Sequence, residues 1–262
     1  MDLHDLKLHQ VVLEVRYPPA YRAFDHAGEV AEQVTCFRPD WVMTNANPSG
    51  LTFVRNSLGL TAMIGLNSTT LTQVQGEDYF DLEDGKYFNS DFEEILTAAF
   101  SNYRVNEILR LGYRTIFNFA VADQEQALSA WRRLPFVNFK LPENLSSQEK
   151  PGGACLFLNI DDDTTLRFEV QNLDLEINVG GAKINWAKRR VYKLPSDQRK
   201  KQLEALVFAE KKYKHLPGFG LQIDLDWSRE DILGAKASDV KDFITKCDAR
   251  RKEILSALLE VK

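Results

Sequence analysis

One order of elements occurs twice along this chain, and it limits the possible folds more than any single motif does. Residues 8–109 read as strand, helix, three strands, helix. Residues 110–260 repeat that order, enlarged by one further strand and a long basic insert at 183–217. Such an order predicts an α+β fold of two pseudo-repeated strand-helix-three-strand-helix units, 1–109 and 110–262. The sheets are expected to be mainly antiparallel, with helices on one face and two sheets meeting at a pseudo-twofold seam.

The strands carry the clearest pattern. Val11, Leu13, Val15 and Tyr17 alternate with Glu14 and Arg16. Period-two alternation marks a sheet with one buried face and one open face. Leu111, Tyr113, Thr115, Phe117 and Phe119 repeat it, with Arg114 and Asn118 on the other row. Further strands are expected at 51–56, 60–66, 69–74, 154–160, 164–170, 173–179 and around 221–227.

Helices are expected where apolar residues recur at three- and four-residue spacing. Phe24, Ala27, Ala31 and Val34 mark one over 21–37. Ser90 with Glu93 forms a capping box for a second, running to about 109. Asp123 caps a third, which Pro135 stops, and the last runs from Ser238 to 259. Residues 39–50 read as a turn-rich link, and residues 76–89 are acidic and aromatic.

Composition removes several classes of function. The chain has 262 residues, enough to bury a core without disulfides or metal. Cys36, Cys155 and Cys247 are odd in number and lack CxxC spacing, so each is expected to be a small buried apolar residue. No apolar run approaches the roughly 20 residues of a membrane helix, and residues 1–6 lack the character of a secretory signal. The expected location is the cytoplasm. A net charge of −5 argues against a surface that attracts polyanions all over.

Catalytic signatures are missing. His4, His9, His26 and His215 form no HxxxH or HxH pair, and no GxSxG, GxxxxGK[ST] or GxGxxG is present. No cofactor is implied. Asp161-Asp162-Asp163-Thr164 lacks the spacing of a calcium loop and reads as a turn.

Two charged constellations remain. The outward strand rows hold Glu14, Arg16, Arg114, Arg167, Glu169, Asp174, Glu176, Asp224 and Asp226. They form either a cradle for a ligand or a solvated face of cross-strand ion pairs. Asp174, Glu176, Asp224 and Asp226 are candidates for a carboxylate cluster that could hold a metal for hydrolysis. The second constellation is the basic stretch 183–214, with Arg189 and Arg190 among its cations and Trp186, Tyr192 and Tyr213 interleaved. It could dock an acidic protein surface or hold nucleic acid, and a charged helix facing solvent has the same composition.

The strand Val12-Leu13-Glu14-Val15-Arg16-Tyr17 and the stretch Arg110-Leu111-Gly112-Tyr113-Arg114 resemble a sporadically distributed bacterial family of unassigned function. Its members are of similar length, with an N-terminal Glu-x-Arg strand and a mid-chain Arg-x-Gly-x-Arg strand. That family often carries Pro-Pro before the first strand; here Pro18-Pro19 follows it. The resemblance implies attention to Glu14, Arg16 and Arg114 and implies no reaction. Gly112 predicts a close neighbour or a bulge. The sequence favours a non-enzymatic binding or adaptor protein, its partner a protein, either another copy or a different chain. Nucleic acid through the basic insert and a metal-assisted hydrolase are the alternatives.

Overall fold

Alternation along β1 (Leu6–Arg16) builds the centre of the molecule. Val11, Leu13 and Val15 are buried in odd register, yet Leu6 and Leu8 are buried in even register. A bulge between Leu8 and Gln10 reconciles them: His9 is the extra residue, and it resets which side chains face inward.

The computed structural model describes residues 6–47, 50–55, 59–74, 86–134, 153–174, 219–234 and 236–259. After β1 come α1 (Ala23–Phe37), β2 (Val42–Asn47), β3 (Gly50–Arg55), β4 (Leu60–Gly65), β5 (Ser68–Val74) and α2 (Lys86–Tyr103). Then follow β6 (Glu107–Val121), α3 (Gln124–Arg132), β7 (Gly153–Asn159), β8 (Thr164–Asp174), β9 (Phe219–Leu233) and α4 (Ala237–Leu259). The basic insert, with Arg189 and Arg190, lies outside the described residues, as do 175–179, with Glu176, and 76–85 of the acidic segment.

All nine strands form one antiparallel sheet in the order β2-β3-β4-β5-β1-β6-β9-β8-β7. The fold is thus α+β, with one continuous sheet rather than two meeting sheets, because β1 and β6 pair directly. Outward from that pair, the order is β5, β4, β3, β2 on one side and β9, β8, β7 on the other.

The inward rows stack across strands. Leu13 stands opposite Leu71 on one side and Tyr113 on the other, and Tyr113 stands opposite Trp227. Helices cover this face. Val30 and Val34 of α1, Ile95 and Leu96 of α2, Trp131 at the end of α3, and Val240, Phe243 and Ile244 of α4 join the strand residues in one apolar core. Tyr17, just past β1, meets Phe100 edge-on at 6.1 Å. Ile116, on the other side of β6, is buried but lies outside that core. No helix among the described residues is long and apolar enough to cross a membrane.

Several local expectations change. Residues 39–50 contain β2, whose six residues are all exposed; an edge strand outside the core has no apolar row to betray it. α2 begins at Lys86, so Ser90 lies inside the helix instead of capping it. Asp123 does cap α3, accepting from Gln126 N at 2.8 Å. β8 runs unbroken to Asp174, so residues 173 and 174 extend it and do not open a new strand. Cys247 is buried, whereas Cys36 and Cys155 are exposed. Phe24 is exposed as well; Val30 and Val34 carry the buried stripe of α1 after a kink at His26.

Candidate functional site

The outward row of each central strand meets its neighbours on the face opposite the described helices. One line of partners crosses Val12 on β1, Arg114 on β6, Asp226 on β9, Arg167 on β8 and Phe157 on β7. The next line toward one end reads Gln10, Ile116, Asp224, Glu169 and Cys155. In the other direction stand Glu14, Gly112, Ser228 and Thr165, then Arg16, Arg110 and Glu230. The six described candidates, Glu14, Arg16, Arg114, Arg167, Asp224 and Asp226, therefore share one surface.

Their ion pairs are diagonal. Arg114 bypasses Asp226, which stands directly opposite, and reaches Asp224 one line away. Its Nε donates to both carboxylate oxygens at 2.9 and 3.0 Å, and Nη2 donates to Oδ2. This bond holds the Arg114 guanidinium more firmly charged than an ordinary arginine. Arg16 pairs with Glu14 on its own strand at 3.0 Å, and Arg110 Nη1 also donates to Glu14 at 3.0 Å. Arg167 pairs with Glu169.

In the Arg114–Asp224, Arg16–Glu14 and Arg167–Glu169 pairs the acid lies deeper than the base. The Asp224 side chain is 8% exposed and that of Arg114 43%; Glu169 is 13% exposed and Arg167 36%. The guanidinium groups thus form the outer layer. Arg114 keeps Nη1 without a partner among the described residues.

Asp226 is the exception. It is half-buried between Arg114 and Arg167 in the cross-strand line, yet no hydrogen bond or close ion pair holds it among the described residues. Burial pushes its carboxyl above the usual range; Asp224 adds to the rise, and Arg110, Arg114 and Arg167 pull against it.

Gly112 sits in regular pairing with both neighbours, so no bulge occurs there. A Cβ at this position would meet Arg110 Nη1 at 3.7 Å and Glu14 Cβ at 3.8 Å. These are ordinary contact distances, so the Arg110–Glu14 pair does not require a glycine here.

Of the four carboxylates proposed as a cluster, Glu176 lies outside the described residues, and Asp174 does not stand beside Asp224. Asp224 stands opposite Glu169 on β8, whereas Asp174 stands opposite Phe219, five residues further along. Asp224 is moreover taken by Arg114. Among the described residues no group of three His, Cys, Asp or Glu side chains is placed to hold a metal. His26 bonds Arg22 at 2.6 Å and Glu29 at 3.2 Å.

Sequence reasoning selected Arg114 but passed over Arg110 and Glu230, which belong to the same face. Their parity along β6 and β9 is the signal that would have found them. Two further charge clusters lie on the helix side. Asp91, fully buried, takes Arg55 Nη1 at 2.8 Å, with Arg38 at 3.5 Å. Asp248 of α4 accepts from Tyr113 at 2.9 Å and from Arg251 at 2.8 Å. Asp91 with Arg55 and Asp248 with Tyr113 are pairings between distant segments, which no local pattern announces; only the Arg251–Asp248 pair is local, three residues apart on α4. Comparison of the chain with family models and with curated proteins finds no match.

Proposed function

We propose that the chain is a binding or adaptor protein whose partner is another protein, docked on the open sheet face around Asp226. The observation that carries this reading is the half-buried Asp226 carboxylate, unbonded among the described residues and flanked by two partly exposed guanidinium groups. A partner that brings a donor to Asp226 and a carboxylate to Arg114 and Arg167 meets each unfilled group. Phe157, 78% exposed in the same cross-strand line, adds an apolar anchor. Arginine and aromatic residues of this kind concentrate binding energy at protein interfaces.

Charge favours protein over nucleic acid at this face. Arg16, Arg110, Arg114 and Arg167 stand against Glu14, Glu169, Asp224, Asp226 and Glu230. A surface so balanced lacks the cationic field that draws a polyanion.

The test is reversal of two exposed bases, Arg16→Glu with Arg167→Glu. Proteins captured by the wild-type chain are titrated against both forms. The expected result is a loss of about tenfold or more in affinity. Lys236→Glu with Lys241→Glu, at the start of α4 on the helix side, a control of equal charge change, leaves it unaltered. Equal affinity for the open-face variant, or competition by heparin at wild-type strength, would sink the reading.

A further inference from the structure

Among the described strands, the sheet ends at β2. Its residues, Val42-Met43-Thr44-Asn45-Ala46-Asn47, carry no charge and no proline, and all six are exposed. An edge strand offers a row of backbone N–H and C=O groups to any strand that comes alongside. Edges are commonly guarded by lysine, by proline, by an inward-pointing charge or by a bulge. Of these, β2 has only the bulge, with Thr44 as its extra residue.

The bulge also brings Met43 and Ala46 into one row on the helix side. Met43 stands opposite Phe53 and Ala46 opposite Leu51, and both partners are buried core residues. The two β2 residues differ in shape. Met43 is long, flexible and 44% exposed. Beside Ala46 a cleft of about 300 Å³ opens toward α1, with Phe24 and Ala27 as its far wall. Phe24 is 54% exposed and Ala46 is exposed, so the cleft is reached from solvent. No charged side chain lines it among the described residues. One short strand thus carries an apolar projection near its start and an apolar recess near its end.

We infer that β2 pairs antiparallel with β2 of a second copy about a twofold axis, joining two sheets into one. With the axis between Thr44 and Asn45, Met43 meets Ala46 of the second copy and enters the recess beside it. Symmetry supplies the reverse contact, so each projection fills a recess and the assembly closes as a dimer. Thr44 and Asn45 separate Met43 from Ala46 on both strands, so the two bulges face each other and the register stays matched. Val42 then meets Asn47, and no like charges stand opposite. β7 is an uncharged edge as well, and a dimer built on it is the competing outcome of the test. The β2 edge is separate from the sheet face around Asp226 and does not depend on the function proposed there.

Sedimentation velocity on the full chain, from about 1 μM to about 200 μM, tests this. An interface of one strand pair and two apolar contacts is small, so a dimer with a micromolar dissociation constant is expected. Amide exchange in β2, fast in the monomer, slows as the dimer fills. Met43→Lys and Ala46→Glu each put a charge into the apolar contact and weaken the dimer about tenfold or more. Both positions are exposed, so the monomer's melting temperature stays as in wild type. Mixed in equal amounts, the two variants dimerise again, because the new lysine of one meets the new glutamate of the other. The inference is overturned if the chain stays monomeric at the highest concentration. It is also overturned if the dimer survives both substitutions, as one built on β7 would, or if the mixture does not recover it.

Discussion

Asp224 and Asp226 are one strand step apart on the same face, and their surroundings make them different groups. Asp224 is buried and bonded by Arg114; Asp226 is half-buried and unbonded among the described residues. Substitution is expected to separate them. Arg114→Met strands the buried Asp224 carboxylate and costs about 2 kcal/mol, less than the 3–5 kcal/mol of a fully buried pair because Arg114 is half in water. Arg16→Met, at an exposed pair, changes stability by no more than about 0.5 kcal/mol. Urea midpoints of the two variants check this; equal losses would refute it. Gly59 is a second residue-scale case. Its φ is +62°, and a Cβ there would lie 2.2 Å from Val74 O. Gly59→Ala is expected to cost at least about 1–2 kcal/mol, by the same measurement.

At the scale of elements, α4 is tied to β6 by a polar contact under an apolar roof. Asp248 accepts from Tyr113 and Arg251, and the Arg251 guanidinium lies 5.8 Å from the Phe117 ring centre. Burial raises the Asp248 carboxyl above its usual range, although Arg251 and the Tyr113 hydroxyl pull it down. A carboxyl whose folded value is raised favours the protonated native state. Its contribution is fully present below the unfolded value of about 3.9 and is lost as pH rises through the folded value. The stability of Asp248→Asn relative to wild type should therefore climb as pH rises from 4 toward neutrality. Denaturant titrations across that range check the sign, and a falling difference would show that Arg251 outweighs burial. Tyr17 acts in the same sense at the alkaline end. Burial pushes its phenol up to about 12, so its contribution fades as pH rises past about 10.

Over the whole molecule, β1 and β6 are flanked on both sides while β2 and β7 are edges among the described strands. Amide exchange is expected to be slowest along β1, β6 and β9 and fastest in β2 and β7. The same exchange experiment shows whether β1 and β6 open together. Opening of β6 ahead of β1 would mean that the pair does not act as one unit.

Much of this was readable from residues alone. Val11, Leu13 and Val15 against Glu14 and Arg16, or Leu111, Tyr113 and Phe117 against Arg114, announce both the strand and its two faces. Asp123 announces its helix start. These signals are local, because side-chain direction repeats every two residues and a cap acts within one turn. β2 escaped because an exposed edge needs no apolar row. Asp174 was misplaced because a strand's pairing partner is chosen by its register against another strand.

What the sequence determined by itself is the two-row alternation along the regular strand segments, since that follows from the backbone period; the bulge at His9 departs from it, and Phe24 and Cys155 are exposed against expectation. Only the tertiary structure decided which outward groups meet. Arg114 and Asp224 are 110 residues apart in the chain. They become neighbours because backbone hydrogen bonds between β6 and β9 set one register among many. That choice pairs Arg114 with Asp224 and leaves Asp226 open.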